Sequence, residues 1–346
     1  MAFVAPPGYQ PVYNPRIPYL GPIYGGLREG MSIYFQGSIP EDITRYFINL
    51  LCGESESSDV ALHVNPRFDG WDKVVFNSRQ NGSWESEEKI RDMPFSKGQA
   101  FEMIILVNSQ GYQIKVNGQD FHTFSHRIPV ERVCALQISG DVSIQTINVI
   151  GGAQGGMNCY PGGMGGGMGG GMGGGMGGGY PGGGMEGGYP GGMGGGMGGA
   201  HLPGIVGQPE YNPPVPYSSM IPGGVSPKRT IIIRGMVPYG ADRLSVNFLV
   251  SRSRDIAFHL NPRLGEGVVV RNSMTGGRWG QEERELTFNP FMEGQYFDMS
   301  IRCGNQKFKV FVNGQHLLNF FHRHQPFTEV DMLEIEGDVQ ISYIHF

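Results

Sequence analysis

A set of polar side chains followed by one tryptophan occurs twice in this chain. The first copy comprises His63, Asn65, Arg67, Asn77, Trp84, Glu87 and Lys89. The second comprises His259, Asn261, Arg263, Asn272, Trp279, Glu282 and Arg284. Imidazole, amide and guanidinium groups offer hydrogen bonds in fixed directions, and an indole face suits a patch of C–H bonds. Because a monosaccharide presents both hydroxyls and C–H surface, the pattern predicts two sugar-binding clefts.

The spacing within each copy indicates how a strand would position these groups. Apolar and polar residues alternate along residues 60–67, and successive strand side chains point to opposite faces. His63, Asn65 and Arg67 should therefore form a polar row on one face, with the apolar row buried beneath it. Asn77 is expected on the neighbouring strand, within reach of that row.

The two copies belong to an internal repeat that covers both ends of the chain. Asp59–Arg67 returns as Asp255–Arg263, and the offset between matched segments stays within 195–198 residues. Insertions between the halves are therefore small, so both should share one fold. Short alternating runs end at turn signals such as Asn117-Gly118, and no sustained helical period is present. We therefore predict an all-β chain of two jelly-roll/concanavalin-like β-sandwich domains.

A low-complexity connector separates the halves. Residues 151–212 hold 32 of the 58 glycines and eight methionines, with Glu186 and Glu210 as their only charged residues. Such a composition cannot bury enough apolar surface to fold, so it predicts a disordered Gly/Met-rich linker spanning roughly 45 Å. It could be a simple spacer, or its Met and Tyr side chains could support weak self-association. The predicted divisions are an N-terminal tail (1–12), a first domain (13–150), the linker (151–210) and a second domain (211–346).

Composition argues against several classes of function. The net charge of −5 is unlike that of a nucleic-acid binder. No run of about 18 apolar residues predicts a membrane span, and the first residues lack the features of a secretory signal. The four cysteines, Cys52, Cys134, Cys159 and Cys303, show no C-x-x-C spacing. They are therefore expected to be free thiols made in a reducing compartment, and neither metal nor cofactor is predicted.

At the repeated residues the chain resembles the galectins, which are β-galactoside-binding lectins. Their signature is H-x-N-P-R, then V-x-N, then W-x-x-E-x-R. The second half ends this pattern with Arg284, whereas the first half has Lys89 at the last position. Two such domains and a connector resemble the tandem-repeat subgroup. The Tyr- and Pro-rich start before Gly25-Gly26 is most similar to the type found in gut epithelium.

The resemblance implies a role for each residue. The 4-hydroxyl of galactose would be bound by His63, Asn65 and Arg67, and by His259, Asn261 and Arg263. The 6-hydroxyl would be held by Asn77 and Glu87, and by Asn272 and Glu282. Trp84 and Trp279 would stack on the galactose ring.

The resemblance also implies partners and a location. The expected ligands are lactose- and N-acetyllactosamine-type glycans on glycoproteins or glycolipids, which two sites on one chain would cross-link. Membranes would be contacted only through glycans. Synthesis would be cytoplasmic, followed by unconventional secretion to the cell surface.

Two other functions fit parts of the sequence. A glycosidase needs two carboxylates about 5–10 Å apart, but the adjacent Glu87 and Glu88 should point to opposite faces of a strand. The repeated acids Asp59 and Asp255 lie four residues before the histidines. Pairing with a cation would keep Glu87 ionised and unsuited to act as an acid, so no enzyme is predicted. An intracellular scaffold that binds proteins through the sandwiches is the remaining alternative.

The replacement at Lys89 predicts a functional difference between the halves. Lysine is a point charge on a flexible stem and cannot reproduce the planar fork of arginine. The first domain is therefore expected to bind simple lactose-type disaccharides more weakly than the second, or to prefer glycans with other neighbouring groups.

Overall fold

The computed structural model describes residues 3, 5–6, 8–151 and 208–346 of the chain. The predicted linker and Cys159 therefore lie almost entirely outside the described residues. Among the described residues, the helices are two 3₁₀ turns, Val130–Arg132 and Phe327–Glu329. None of the described helices has the length and apolarity needed to cross a membrane. The prediction of an all-β chain with two sandwich domains is confirmed.

The first sandwich is formed by two antiparallel sheets. Its strands are β1 (Tyr9–Tyr13), β2 (Tyr19–Pro22), β3 (Ser32–Ser38), β4 (Tyr46–Leu51), β5 (Val60–Arg67), β6 (Lys73–Gln80), β7 (Ser83–Trp84), β8 (Glu88–Ile90), β9 (Ala100–Val107), β10 (Gly111–Val116), β11 (Gln119–Ser125), β12 (Ala135–Gly140) and β13 (Ser143–Ile150). One sheet has the order β2-β12-β4-β5-β6-β7, with β8 pairing β6, and is called the cleft sheet. The other has the order β1-β13-β3-β9-β10-β11 and is called the back sheet.

The second sandwich repeats this topology. Its strands are β14 (Glu210–Tyr211), β15 (Tyr217–Met220), β16 (Thr230–Val237), β17 (Leu244–Leu249), β18 (Ile256–Arg263), β19 (Val268–Thr275), β20 (Arg278–Trp279), β21 (Gln295–Cys303), β22 (Lys307–Val312), β23 (Gln315–Phe321), β24 (Met332–Gly337) and β25 (Gln340–His345). The cleft sheet has the order β15-β24-β17-β18-β19-β20, and the back sheet the order β14-β25-β16-β21-β22-β23. The segment that corresponds to β8 makes a single bridge, between Arg271 and Glu283.

Alternation along the strands builds the core of each sandwich. Leu62 and Val64 of β5 are buried in the first core, together with Phe76 of β6 and Ile105 of β9. Their polar neighbours on β5 therefore lie on the outer face of the cleft sheet, as the sequence predicts. Burying such apolar side chains is worth about 1.5–3 kcal/mol each, so the core holds the strands that carry the polar row.

The predicted hairpin turns are present in both back sheets. Asn117 and Gly118 join β10 to β11 with φ values of 50° and 80°. Asn313 and Gly314 join β22 to β23 in the same way. Positive φ at both turn positions matches the right-handed twist of the flanking strands, which is why Asn-Gly is favoured there.

Part of the predicted N-terminal tail lies within a strand. Tyr9–Tyr13 form β1 and pair with β13 at the edge of the first back sheet. The described residues of both sandwiches belong to one compact unit. Within it the outer faces of the two back sheets meet, with β21 of the second sandwich against β3 and β9 of the first.

Candidate binding clefts

The polar row lies across the centre of each cleft sheet. His63 of β5 is opposite Asn77 of β6. His259 of β18 is opposite Asn272 of β19. The third residue of the row, the arginine, ends the strand in each sandwich. The tryptophan lies on a short strand, β7 or β20, that pairs with the strand carrying the asparagine. The two halves therefore assemble the same arrangement.

These side chains line an open cleft in the first sandwich. Its volume is about 450 Å³, and its lining comprises Arg45, Phe47, His63, Asn65, Arg67, Asn77, Trp84, Glu85 and Glu87. Six of the seven residues predicted for this site thus border one cavity. Lys89 is not among them, and it contacts the cleft residue Glu87.

A buried amide fixes the protonation of the histidine in the first cleft. The Asn49 Nδ2 group donates to Gln137 Oε1 at 2.8 Å, so Asn49 Oδ1 must act as an acceptor. His63 Nδ1 lies 2.6 Å from that oxygen and therefore carries the proton. The Nε2 lone pair is left to accept a hydrogen bond from a ligand. In the second cleft His259 Nδ1 lies 2.6 Å from Asn247 Oδ1.

Both histidines are held neutral. Burial, reinforced by the positive charge of Arg67, lowers the pKa of His63 to about 4. Burial and Arg263 lower the pKa of His259 to about 4 in the same way. At neutral pH each imidazole is therefore an acceptor at one nitrogen and a donor at the other.

The first asparagine of each row orients the arginine. Asn65 is buried, and its Nδ2 group donates to the Tyr46 carbonyl at 2.5 Å. Its Oδ1 atom accepts from Arg67 Nε at 2.6 Å. Asn261 makes the same two bonds, to Leu244 O at 2.7 Å and from Arg263 Nε at 2.8 Å. Much of the hydrogen-bonding capacity of this asparagine is thus used within the protein.

A second arginine, which the sequence reasoning did not place in the site, holds Asn77. Arg127 Nη1 donates to Asn77 Oδ1 at 3.2 Å and to the Ser86 carbonyl at 2.8 Å. Arg323 contacts Asn272 in the second cleft at 3.1 Å. The sequence does carry a signal for this role, because the pair His126-Arg127 returns as His322-Arg323.

Each tryptophan side chain is only half buried. Trp84 is 48% exposed and Trp279 is 51% exposed. Each ring centre lies 4.8 Å from the centre of the neighbouring imidazole, at tilts of 58° and 59°. An aromatic ring held beside a polar row but exposed to solvent is suited to packing against an apolar ligand face.

The clefts differ on the far side of the histidine. Phe47 lies on the first cleft, with its ring centre 5.6 Å from that of His63. In the second sandwich Ser245 follows Leu244 where Phe47 follows Tyr46. The sequence analysis missed Phe47, because its role depends on which face of β4 borders the cleft.

The glutamate of the first cleft contacts two cations. Glu87 Oε1 lies 3.3 Å from Arg67 Nη2, and Glu87 Oε2 lies 3.0 Å from Lys89 Nζ. The hydrogen bond from Lys89, opposed in part by burial and aided by Arg67, lowers the pKa of Glu87. The acid of the adjacent loop, Asp69, pairs with Lys73 rather than joining this group.

The second cleft closes the equivalent contacts into a ring. Glu282 Oε1 accepts from Arg263 Nη2 at 3.1 Å. Glu282 Oε2 accepts from Arg284 Nε at 2.9 Å and Nη2 at 2.7 Å. Glu266 then joins the two arginines, at 3.2 Å from Arg263 Nη1 and 3.0 Å from Arg284 Nη1. The hydrogen bond from Arg284 lowers the pKa of Glu282.

Two further acids of the first sandwich, Glu88 and Asp59, have structural partners. Glu88 points away from Glu87 and contacts Arg127 at 2.8 Å and His122 at 2.9 Å. Asp59 pairs with Arg132 at 2.8 Å. No group of acids, histidines or cysteines with the arrangement of a metal site occurs among the described residues.

Comparison with known proteins agrees with the arrangement of these clefts. A family model described as galactoside-binding lectin matches residues 18–149 and again residues 216–346. The chain is 51% identical to galectin-4 of Sus scrofa and 49% identical to galectin-4 of Homo sapiens, over 99% of both chains in each case. It is 33% identical to galectin-8 of Rattus norvegicus over 95% of each chain.

The chain therefore belongs to the galectins, the galactoside-binding lectin family, and its two matched segments make it a tandem-repeat galectin. Its similarity over nearly the whole length is to the galectin-4 type, which confirms the finer resemblance drawn from its Tyr- and Pro-rich start.

Proposed function

We propose that each cleft binds a terminal β-galactoside of the lactose or N-acetyllactosamine type. The observation that carries this proposal is the neutral histidine with a free Nε2 acceptor beside a half-exposed tryptophan, present in both sandwiches. An axial 4-hydroxyl can donate to His63 Nε2 and accept from Arg67. The C–H face of the same ring can then pack on Trp84.

The remaining groups would hold the 6-hydroxyl. Glu87 is an ionised acceptor, and Asn77 keeps one N–H beyond the one that bonds the Glu85 carbonyl. A sugar with an equatorial 4-hydroxyl would leave His63 Nε2 and the ligand-facing N–H of Arg67 without a sugar hydroxyl to bond. Buried polar groups left unpaired in this way are the physical basis for rejecting a close analogue.

Two clefts on one chain support cross-linking of glycoproteins or glycolipids. The proposed division follows the sequence, with domains at 13–150 and 211–346, which the edge strands β1 and β14 extend to Tyr9 and Glu210. Membranes would be reached through their glycans. Binding rather than catalysis is proposed, because the low pKa of Glu87 and Glu282 makes them poor general acids.

Calorimetric titration of lactose into the full chain tests the proposal. Trp84→Ala should leave one site, that of the second cleft, and Trp279→Ala should leave that of the first. The double variant should show no heat of binding. Trp71→Ala is the matched control, since Trp71 is exposed but does not line the cleft. Undiminished binding in the double variant would exclude these clefts as the galactoside sites.

We also propose cytoplasmic synthesis with unconventional secretion. The support is that Cys52, Cys134 and Cys303 are free thiols, which fits folding in a reducing compartment. Cells expressing the chain should release it when vesicular transport from the endoplasmic reticulum is blocked, and lactose should elute it from their surface. Surface binding that lactose does not compete for would favour the scaffold alternative.

A further inference from the structure

The outward faces of the two back sheets are buried, although they carry polar residues. In the first sandwich Gln36 of β3, Glu102 of β9 and Asn148 of β13 are all buried. In the second, Arg234 of β16 is 0% exposed and Asp298 of β21 is 2% exposed. Strand alternation directs these side chains away from their own cores, so they are buried only because the two faces meet. We call this contact the back-sheet interface.

One side of the interface is centred on Asp298. Tyr9 of the first sandwich donates its hydroxyl to Asp298 Oδ2 at 2.9 Å. Asn148 Nδ2, also from the first sandwich, donates to the same oxygen at 2.8 Å. Arg234 Nη2 lies 3.4 Å from that oxygen, within the second sandwich. Two of the hydrogen bonds that the buried Asp298 carboxylate of the second sandwich accepts therefore come from the first sandwich.

Arg234 is enclosed by aromatic rings from both sandwiches. Its guanidinium carbon lies 4.3 Å from the ring centre of Tyr34, 5.6 Å from that of Tyr9 and 5.7 Å from that of Tyr343. Arg234 Nη2 also donates to the Tyr9 hydroxyl at 3.0 Å. Cation–π contacts are strongest when desolvated, so these rings stabilise a charge that has lost its water.

A second group of contacts lies around Glu102. Its Oε2 atom accepts from Gln36 Nε2 at 2.8 Å and from Ser342 Oγ of the second sandwich at 3.0 Å. Asn117 Oδ1 accepts from the Tyr296 hydroxyl at 2.9 Å. These bonds hold the two back sheets in one relative position.

An apolar cluster between the polar groups supplies the driving force for docking. It comprises Tyr9, Tyr34, Ile104, Ile150, Ile232 and Tyr343. The charged network fixes the relative position of the two back sheets. If one sheet shifted against the other, Arg234 or Asp298 would be buried without its partners, which is costly.

Docking through the back sheets determines where the clefts face. The layers follow the order cleft sheet, back sheet, back sheet, cleft sheet. Packed sheets lie about 10 Å apart, so the cleft sheets are the outer layers, roughly 30 Å from each other. The polar rows lie on their outer faces and therefore point in opposite directions.

We propose that the back-sheet interface makes this chain a rigid bridge whose two clefts join glycans on opposing surfaces and cannot both engage one surface. This proposal rests on the function proposed above for each cleft. The interface, rather than the length of the connector, then sets the separation of the two sites.

A charge placed in the apolar cluster tests the proposal. Ile232→Lys should separate the sandwiches without unfolding them, because residue 232 would face water once they part. Ile104→Lys makes the same test from the first sandwich. Thr123→Lys is the matched control, since Thr123 is an exposed residue of β11 in the same back sheet as Ile104. Unchanged lactose affinity at both clefts would show that each sandwich remains folded.

Small-angle X-ray scattering of the full chain gives the first readout. The unaltered chain and Thr123→Lys should share one radius of gyration, and both lysine variants in the cluster should increase it by about 1.3-fold or more. An unaltered chain already as expanded as Ile232→Lys would overturn the proposal.

Binding to one surface and bridging between two give the second readout. On a surface densely coated with lactose, the unaltered chain should bind through one cleft at a time, so its dissociation rate should equal that of a single cleft. Ile232→Lys should dissociate at least about tenfold more slowly, because freed domains can bind that surface together. The unaltered chain should aggregate mixed lactose-bearing vesicles more efficiently than the variant. Equal dissociation rates in both proteins would contradict the proposal.

A chain that binds no lactose in calorimetry yet keeps the compact radius of gyration would refute the proposed function of the clefts and leave the back-sheet interface intact.

Discussion

The glutamates of the two clefts are held by different numbers of cationic contacts. Lys89 meets Glu87 at one point, whereas Arg284 contacts both Glu282 and Glu266. A guanidinium in a closed ring keeps the carboxylate in one orientation, while an ammonium on a flexible stem does not.

Lys89→Arg is therefore expected to strengthen lactose binding at the first cleft. The gain should be only roughly two- to fivefold, because these groups are partly exposed and solvent screens them. Calorimetry in a Trp279→Ala background isolates this cleft. The reciprocal change Arg284→Lys should weaken the second cleft by a similar factor. An unchanged affinity and glycan preference in both would contradict the argument.

Sugar binding should resist acid better than an ordinary histidine site. Binding requires the neutral imidazole, and the pKa of His63 and of His259 is about 4. Lactose affinity should therefore stay flat from pH 7 to about 5 and fall as the pH approaches 4. Loss of binding near pH 6.5, the usual histidine pKa, would show that the imidazoles are not held neutral.

Asn49→Asp supplies the control for this pH profile. A carboxylate beside Nδ1 favours the charged imidazolium, so it should raise the pKa of His63 and move the loss of binding to higher pH. The second cleft, in which Asn247 is unchanged, should keep its original profile in the same protein.

At the scale of elements, the cleft depends on an arginine from beyond the end of the back sheet. Arg127 follows β11 and bonds the Ser86 carbonyl between β7 and β8, and Glu88 at the start of β8. Its guanidinium also lies 4.6 Å from the ring centre of Phe124. This side chain thus ties the edge of one sheet to the irregular part of the other.

Arg127→Met should weaken lactose binding at the first cleft by roughly tenfold, although Arg127 itself is not proposed to touch the sugar. Loss of its charge-assisted hydrogen bonds should also lower the free energy of unfolding by about 1.5–3 kcal/mol. Calorimetry and urea unfolding measure the two effects. Arg323→Met is the matched variant, and it should affect only the second cleft. Unchanged affinity at the first cleft in Arg127→Met would remove Arg127 from this role.

At the scale of the whole molecule, the back-sheet interface buries a carboxylate that lacks a directly bonded cation among the described residues. Glu102 Oε2 is hydrogen-bonded, but its Oε1 atom accepts no hydrogen bond from the part of the chain that the structure describes. Burial raises the pKa of Glu102, although Gln36 and Arg234 oppose the shift. The titratable groups around it are Arg234, Asp298, Tyr34 and Tyr296.

Docking should therefore take up a proton at Glu102 in the pH range between its undocked and its raised, docked pKa. Because the pKa of Glu102 is higher in the docked state, its contribution to the free energy of docking is most favourable below its undocked pKa, about 4.3. This contribution is lost as the pH rises through the docked pKa. Glu102→Gln should make docking stronger at neutral pH and less dependent on pH. Hydrogen exchange of the β9 and β21 amides against pH measures this. If docking of Glu102→Gln depended on pH as steeply as docking of the unaltered chain, the pH dependence would belong to another group.

The sequence by itself determined the fold class and the polar row of each cleft. Both depend on local patterns: the alternation along residues 60–67 and 256–263, and the Asn-Gly turns that set the hairpins. Because the same residues recur in the same order in both halves, the repeat identifies them as one arrangement rather than as unrelated single residues. Glu87 and Glu88 were separated correctly because neighbouring strand residues must face opposite sides.

Only the tertiary structure decided the partners of that row and the relation between the domains. Asn49 and Arg127 come from segments distant in sequence, so no local period marks them. Gln36, Glu102 and Arg234 lie at outward-facing strand positions, where polar residues normally meet water. The same alternation fits a solvated sheet face and a docked one, because which of the two occurs depends on the surface that comes to lie opposite.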